Sequence, residues 1–179
     1  MPLAASDILL KLSTTAGASG NGQSGTPAGS LGKYASTTQL SGTPLNNLFD
    51  TVTGAENTSL ESEYRCIFVH NNHSTLQALD SVVWIAGETA GGADITIGVD
   101  PTAASPVGAT SAQAVQIVNE NTAPAGVAFS KPLAAGSGLS LGNIPAGSVK
   151  AVWICRTTTN SAPKNNDGVV LGFQCATGE

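Results

Sequence analysis

A short run near the middle of the chain, Tyr64–Val69, is apolar on both of its alternating faces. β-Branched and aromatic residues dominate the run, and two asparagines follow as a turn signal, which together predict a strand. Cys66 and Phe68 lie on one face of such a strand, with Ile67 and Val69 on the other. A strand with one face in water alternates apolar and polar residues instead. The run therefore predicts a central strand that is covered on both faces by further layers.

Runs of the same kind recur along the chain at intervals of roughly 8–15 residues, separated by glycine, proline and asparagine. No stretch shows the apolar period of an amphipathic helix, and residues 44–50 predict only one helical turn, with Thr43 as its N-cap. This pattern predicts an all-β fold, an antiparallel β-sandwich of the immunoglobulin-like or jelly-roll kind with Greek-key connections. The predicted strands are Asp7–Ser13, Lys33–Leu40, Tyr64–Asn71, Leu79–Ala86, Ala93–Val99, Gln113–Asn119, Val127–Phe129, Leu139–Leu141, Ser148–Arg156 and Gly168–Cys175.

The first third of the chain has a looser composition than the rest. Residues 17–32 are rich in glycine and serine and cannot bury enough apolar surface to offset the entropy lost on ordering. They are either a flexible loop or a strip that a partner orders, and residues 54–62 predict a linker. We therefore divide the chain near residue 60. Residues 1–60 form an extended N-terminal arm with the Gly/Ser-rich segment, and residues 61–179 form the β-sandwich domain.

The charge pattern excludes two classes of partner. The formal net charge is −5, and no lysine or arginine occurs between Arg65 and Lys131. Proteins bind nucleic acids largely through clustered cations that neutralise phosphates, and anionic membranes attract such clusters in the same way. No stretch approaches the roughly 18 apolar residues that a transmembrane helix needs. We therefore expect neither a nucleic-acid partner nor a membrane partner.

The cysteines and the first residues indicate where the protein is assembled. Cys66, Cys155 and Cys175 are odd in number and widely spaced, which is not a disulfide framework. We interpret them as free thiols of a protein assembled in a reducing cytoplasm. Met1–Leu12 lacks the basic region and the long apolar run of a signal peptide, so we expect no ordinary secretion.

Motifs for catalysis and cofactor binding are not found in the sequence. No G-x-S-x-G nucleophile motif is present. The Gly-rich segments 87–92 and 136–138 lack the Lys-Ser/Thr pair of a phosphate-binding loop, and we interpret both as hairpin loops. We therefore expect no catalytic residue and no cofactor, and a protein that is not an enzyme.

Two histidines give the one spacing that suits a metal. His70 and His73 form an H-x-x-H pattern at a strand end. Structural zinc takes four ligands, so Asp80 or Glu63 would have to complete the site. Because such a ligand set is missing nearby, we interpret the pair as turn histidines that hydrogen-bond to the backbone, and we expect no metal site.

Large aromatic residues in the predicted strands are the candidate interface. Trp84 and Trp153 each lie in a long strand whose opposite face is already apolar, and Phe68 lies in the central strand. Either these side chains fill the core of the sandwich, or the outer face of one sheet packs beneath the N-terminal arm or a neighbouring subunit. Tryptophan is enriched at such interfaces because it buries a large area and keeps one polar group. Both interpretations remain open from the sequence.

Several turn and core patterns occur together between about residues 40 and 170. They are Leu45-Asn46-Asn47-Leu48-Phe49-Asp50, Glu63-Tyr64-Arg65-Cys66, Asn119-Glu120-Asn121-Thr122-Ala123-Pro124, Gly138-Leu139-Ser140-Leu141-Gly142, and Pro145-Ala146-Gly147 leading into Ala151-Val152-Trp153. In this combination the chain resembles a family of small structural proteins of tailed bacteriophages. The Gly/Ser-rich segment 17–32 is longer than the resemblance leads one to expect, so the role of the arm rests on composition.

The resemblance implies a non-enzymatic virion protein assembled in the host cytoplasm. Within that class we expect a capsid cement (decoration) protein that stabilises the head by binding across junctions of the major capsid protein. The resemblance also implies other virion proteins as partners and a homo-oligomer, with a trimer favoured. A tail, neck or baseplate structural protein is the alternative within the class.

A carbohydrate-binding β-sandwich is the alternative from a different class. Such a module needs exposed aromatic side chains on a loop rim. The candidates are Trp84, Trp153, Tyr34 and Tyr64. All four residues lie in predicted strands, which does not favour this alternative.

Overall fold

The computed structural model describes residues 3–17, 22–43 and 45–178. Within these ranges the chain forms two antiparallel β-sheets that pack face to face, so the predicted all-β sandwich is confirmed. Sheet 1 has the strand order β2-β1-β3-β8-β5, with β6 paired to the end of β8, and sheet 2 has the order β7-β4-β9. The strands are β1 (Ile8–Thr14), β2 (Tyr34–Gln39), β3 (Ser62–Asn71), β4 (Gln77–Glu88), β5 (Asp94–Val99), β6 (Ser105–Pro106), β7 (Leu139–Ile144), β8 (Ser148–Thr157) and β9 (Val169–Gly178).

Strand β3 is the centre of sheet 1, as its sequence predicts. It pairs with β8 along one edge and with β1 along part of the other. Ile67 and Val69 face sheet 2, whereas Cys66 and Phe68 face the opposite side. All four side chains are at most 1% exposed, so both faces of the strand are covered.

The core between the two sheets is made of aliphatic side chains. Fully burying one such side chain contributes about 1.5–3 kcal/mol to the free energy of unfolding. The buried residues of this core are Leu12, Leu48, Ile67, Val69, Ala78, Val83, Ile85, Ile95, Ile97, Leu141, Ile144, Val152 and Ile154.

A third layer covers the other face of sheet 1. It consists of residues 29–33 and 113–129, which we call the cover layer. A second buried cluster lies under it and includes Ala35, Cys66, Phe68, Ala114, Ile117, Val149, Ala151 and Trp153. Backbone hydrogen bonds connect the two segments of the cover layer to each other and to β3. Ile117 N donates to Leu31 O at 3.1 Å, and Tyr64 N donates to Glu120 O at 2.7 Å.

Two predicted strands in this layer are wrong. Residues 113–119 and 127–129 form no strand, and only single bridges occur, Gly32 with Gln116 and Ile97 with Ser130. The physical reason is that the backbone bonds do not continue as a ladder. Gln113 N and Ala114 N both donate to Lys33 O, whereas Val115 N donates to the carboxylate of Asp100. Val127 N donates to Pro124 O within a turn. Of the apolar residues that suggested strands, Ala114, Ile117, Val127 and Phe129 pack onto sheet 1, whereas Val118 is 83% exposed.

The N-terminal segment differs from the predicted extended arm. Strands β1 and β2 lie within sheet 1, and Leu10 pairs with Val69 of the central strand. The alternating leucines and isoleucine of β1 give it an apolar face that is buried only when the strand joins the sheet, which corrects the prediction of an arm for this part. The boundary near residue 60 falls just before β3, and residues 18–21 of the Gly/Ser-rich segment lie outside the described residues.

One glycine of that segment is required by close packing. Gly32 has φ of 89°, a left-handed conformation that favours glycine. A Cβ at this position would overlap the carbonyl of Val115 and touch the indole of Trp153. The backbone of the cover layer therefore approaches the central strands as closely as a residue without a side chain permits.

The helical turn is also displaced from its predicted position. Residues 45–50 are not helical, Pro44 lies outside the described residues, and the predicted linker contains helix α1 (Gly54–Ser59). Thr53 and Glu56 explain this, because they form a capping box: Glu56 N donates to Thr53 Oγ1 at 3.3 Å, and Thr53 N donates to Glu56 Oε2 at 2.6 Å. Two short 3₁₀ turns lie at Ala5–Asp7 and Ala135–Ser137.

Among the described residues, no helix has the length and apolarity needed to cross a membrane.

Candidate functional site

The structure separates the three predicted interface residues. Phe68 and Trp153 are 0% exposed and lie beneath the cover layer. The chain's own residues cover them, and they come partly from the N-terminal segment and partly from residues 113–129. Trp84 instead lies on the outer face of sheet 2 and is half-buried. Of the three, only Trp84 is available to a partner in this conformation.

The outer face of sheet 2 carries an apolar strip around Trp84. Val82 and Trp84 point outward, because the alternate residues of β4 point into the core. Trp84 pairs with Gly172 of β9, and its indole lies over that glycine so closely that a Cβ there would overlap it. Val170 is on the same face of β9 and is 63% exposed. These three apolar side chains, of which Val82 and Trp84 are half-buried, form the partly exposed strip that we treat as the candidate interaction surface.

A buried carboxylate, which the sequence did not single out, fixes the cover layer over Trp153. Asp100 is 1% exposed and follows β5 directly. Its Oδ2 accepts hydrogen bonds from Trp153 Nε1 at 2.8 Å and from Val115 N at 2.9 Å, and its Oδ1 accepts one from Thr102 N at 2.9 Å. Lys150 Nζ donates to the Asp100 carbonyl at 2.7 Å. One feature of the sequence could have indicated this role of Asp100. It is an acidic residue directly after an alternating strand, in a segment that contains no lysine or arginine.

A group of buried charged side chains lies at the N-terminal end of β3. Glu63 and Arg156 lie opposite each other on neighbouring strands and are 3% and 8% exposed. Arg156 Nε donates to Glu63 Oε2 at 2.7 Å, and its other nitrogens bond to the carbonyl and the carboxylate of Asp50. The guanidinium also lies 4.7 Å from the ring centroid of Phe49. Burial raises the pKa of Glu63, while the hydrogen bond and the charge of Arg156 oppose that rise. The cluster attaches residues 49 and 50 to the sheet.

A second ion pair attaches the cover layer at the same end. Arg65 is 2% exposed, and its guanidinium pairs with the carboxylate of Glu120. Its Nη1 donates to the carbonyl of Tyr64 at 3.3 Å, and Nε has no partner among the described residues. Both arginines therefore hold chain segments together.

The two histidines do not form a shared site. His73 Nδ1 accepts hydrogen bonds from Thr75 N at 3.1 Å and Leu76 N at 2.9 Å, as a turn histidine does. His70 lies in β3 rather than in the turn and is 5% exposed. Burial, with a smaller effect of the Lys11 charge, lowers the pKa of His70 to about 4. Glu63, one of the two carboxylates that would complete a zinc site, is paired at the far end of β3. No group of three or more metal-ligating side chains occurs among the described residues.

The cysteines are free thiols in the structure. Cys66 and Cys155 are buried in the sandwich, and Cys175 on β9 is half-exposed. Burial raises the pKa of the Cys66 and Cys175 thiols, which disfavours the reactive thiolate. The cysteines therefore act as apolar residues of the packing.

A scan against protein-family models and searches of curated proteins and of solved structures gave no significant match to the chain.

Proposed function

We propose that the protein is a non-enzymatic structural component of a bacteriophage virion. Within the virion it acts as a capsid cement protein that binds across junctions of the major capsid protein and stabilises the head. The observation that carries the proposal is the structural role of the buried polar groups. They connect chain segments to the sheets, and the polar groups of a catalytic site would converge on a cleft instead.

Three separate connections illustrate this use. Asp100 attaches the cover layer to Trp153, and Glu120 attaches it to Arg65. Glu63 and Arg156 attach the residues before α1 to the central strands. Removing one partner of a buried pair is costly, so such connections hold long irregular segments in one conformation. A protein that reinforces a shell needs this rigidity in its loops.

The outer face of sheet 2 is the attachment surface in this proposal. The partly exposed apolar strip of Val82, Trp84 and Val170 suits a protein partner, because interface cores are apolar and rich in aromatic residues. The partner is the major capsid protein or another virion protein, and the chain assembles as a homo-oligomer, with a trimer favoured.

The charges support a protein partner over a nucleic acid or an anionic membrane. Four of the seven lysines and arginines are engaged in contacts within the chain, which leaves few cations for phosphate groups. The four are Arg65, Lys131, Lys150 and Arg156.

Three of the four candidate aromatic residues do not support the carbohydrate-binding alternative, and the fourth, Trp84, lies within β4 and not on a loop rim. Trp153 is 0% exposed and Tyr34 is 6% exposed. Tyr64 packs against Phe129, with ring centroids 5.4 Å apart. These rings contribute to the packing of sheet 1 and the cover layer, whereas sugar binding needs them on an open rim.

The proposal is tested by adding purified protein to particles of the parent phage assembled without it. We expect the protein to occupy sites on the head and to raise the resistance of the particles to heat and chelator. A cryo-EM map of the decorated particle locates the bound chain. Density on the tail, neck or baseplate would move the protein to the alternative virion role, and absence of binding would refute both.

A pair of variants locates the attachment surface in the same experiment. Trp84→Ser removes the aromatic side chain of the strip, and we expect it to lower occupancy. Val118→Ser changes a residue of the cover layer that is 83% exposed, and we expect it to bind as the unchanged protein does. Thermal unfolding of both variants establishes that they are folded. Equal occupancy of the two variants would exclude the outer face of sheet 2 as the attachment surface.

A further inference from the structure

Strand β9 is an edge strand without protection. Among the described residues it pairs only with β4, so every second residue directs its backbone N–H and C=O groups away from the sheet. Its sequence, Val169–Gly178, contains neither a charged residue nor proline. Both register shifts against β4 place the extra residue on β4, which leaves β9 continuous. Natural proteins normally protect a long edge of this kind with a charge, a proline, a bulge or a covering segment.

The other sheet edges are protected in the described structure. On β2, Thr37 N donates to Gln23 O at 2.8 Å. On β5, Ile97 and Ser130 exchange two backbone hydrogen bonds of 2.9 Å. Strand β7 has only six residues and is interrupted by Gly142, with φ of 69°. The open edge of β9 is therefore an exception within this molecule.

An apolar cleft adjoins this edge. It has a volume of about 440 Å³ and lies between the sheets, beside the inner face of β9. Ligand-binding pockets commonly range over about 300–1,000 Å³, so the cleft has room for several side chains. Its lining includes Ile8, Leu10, Ile67, Val83, Leu171 and Phe173. Residues 3–5, which precede β1, also line the cleft and bound it opposite β9.

The cleft exists because sheet 2 is narrower than sheet 1. Strand β7 lies against β5 and β8, so sheet 2 covers that side of sheet 1 and ends at β9 on the other. Strands β1 and β2 extend beyond β9, and the inward residues Ile8 and Leu10 are only half-buried. Neighbouring strands lie about 4.8 Å apart, so one more strand beside β9 would lie over β1.

We propose that this edge and cleft bind an extended segment of a partner polypeptide, which adds a fourth strand to sheet 2. The segment pairs with the free backbone groups of β9 and places apolar side chains, at every second position, into the cleft. The partner presents one extended strand and not a folded sheet edge, because β1 and β2 project past β9 and obstruct a second sandwich. A lipid or another apolar small molecule would fill the cleft but leave the backbone groups of β9 unpaired. This inference goes beyond the proposed function and does not depend on it.

The test uses the full-length protein and a fluorescein-labelled capped peptide in which valine and threonine alternate, with a lysine at each end. We expect binding by fluorescence anisotropy at peptide concentrations up to about 1 mM, the range of weak strand pairing. The same peptide with alternate residues N-methylated on its pairing edge cannot donate to β9, and we expect its affinity to fall by at least about tenfold. Bound peptide is also expected to slow the alkylation of Cys175, the half-exposed cysteine that lines the cleft.

Two variants of neighbouring residues separate the cleft from the outer face of the strand. Cys175→Trp fills the cleft, and we expect it to weaken peptide binding by at least about tenfold. Ala176→Trp places the same side chain on the opposite, exposed face of β9, and we expect a change of less than about threefold. Thermal unfolding establishes that both variants are folded.

Three outcomes would overturn the proposal. They are equal affinity of the peptide and its N-methylated form, no binding of the peptide, and saturable binding of dodecanoate to the cleft while the peptide fails to bind. The last result would identify an apolar small-molecule site in place of a strand-binding edge.

Discussion

The indole Nε1 of Trp153 donates a hydrogen bond to Oδ2 of Asp100 over 2.8 Å, and both side chains are at most 1% exposed. Trp153 belongs to β8 in the middle of sheet 1, whereas Asp100 begins the long connection that leads into the cover layer. The same Oδ2 accepts the backbone N–H of Val115 within that layer. One carboxylate thus joins a central strand, the start of the connection and the cover layer.

We expect Asp100→Asn to lower the free energy of unfolding by about 2–4 kcal/mol. Both carboxylate oxygens accept from buried or half-buried donors, and an amide nitrogen would place a fourth donor among them. Urea unfolding measures the loss. Asp80→Asn is the matched control, because Asp80 is exposed and has φ of 48°, a conformation that asparagine also tolerates. Equal stability of the two variants would contradict this role of Asp100.

The ion pair of Glu63 and Arg156 allows a second prediction. We expect Arg156→Met to destabilise the protein by about 3–5 kcal/mol, because it leaves the Glu63 carboxylate buried without its cation. Adding Glu63→Gln removes the uncompensated charge and should restore part of the lost stability. Guanidinium unfolding of both single variants and the double variant measures this coupling. Additive losses in the double variant would show that the two side chains do not stabilise each other.

The strands of the sandwich were predictable because period-2 patterns and turn residues carry that information locally. Tyr64–Val69 required cover on both faces, and the structure has it. The source of the cover on the second face was not predictable. Residues 113–129 have the apolar content of strands, but residues 113–117 bond to the short segment 31–33 and to the side chain of Asp100, which only the tertiary structure brings together. Local patterns cannot distinguish a covering loop from a strand.

The same limit applies to the candidate site. Trp84 and Trp153 have equivalent surroundings in the sequence, each in a strand that is apolar on both faces. They differ in the structure because Trp153 lies in sheet 1, beneath the cover layer, and Trp84 lies on the outer face of sheet 2. The open edge of β9 was also hidden, since an edge is defined by strand order, which arises from pairings between distant segments.

The buried His70 predicts a dependence of stability on pH. Its pKa of about 4 in the folded protein is below the ordinary value of 6.5, so between these pH values the unfolded chain binds a proton that the folded chain does not. Stability therefore rises with pH through this window. We expect His70→Gln to reduce the difference in unfolding free energy between pH 7 and pH 5 by about 2 kcal/mol.

Urea unfolding of the unchanged protein and the variant at both pH values measures the effect of His70. Lys11, which contributes to the lowered pKa of His70, is retained in both proteins. Glu63, whose raised pKa favours folding at lower pH, is also common to both and cancels in the comparison. An unchanged pH dependence in the variant would show that His70 is not the group responsible.

Gly172 supports the position of Trp84 on the outer face of sheet 2. The two residues pair across β4 and β9, and a Cβ at Gly172 would overlap the indole ring. We expect Gly172→Ala to displace the ring, to shift its fluorescence emission to longer wavelength and to cost about 1–3 kcal/mol of stability. Gly87→Ala is the matched control on the partner strand, because a Cβ there meets only Val170, at 3.8 Å. We expect this control to keep the emission spectrum and to change stability by less than about 1 kcal/mol. Identical spectra and stabilities for the two variants would mean that the indole does not lie over Gly172, and the partly exposed strip around Trp84 would then have a different shape.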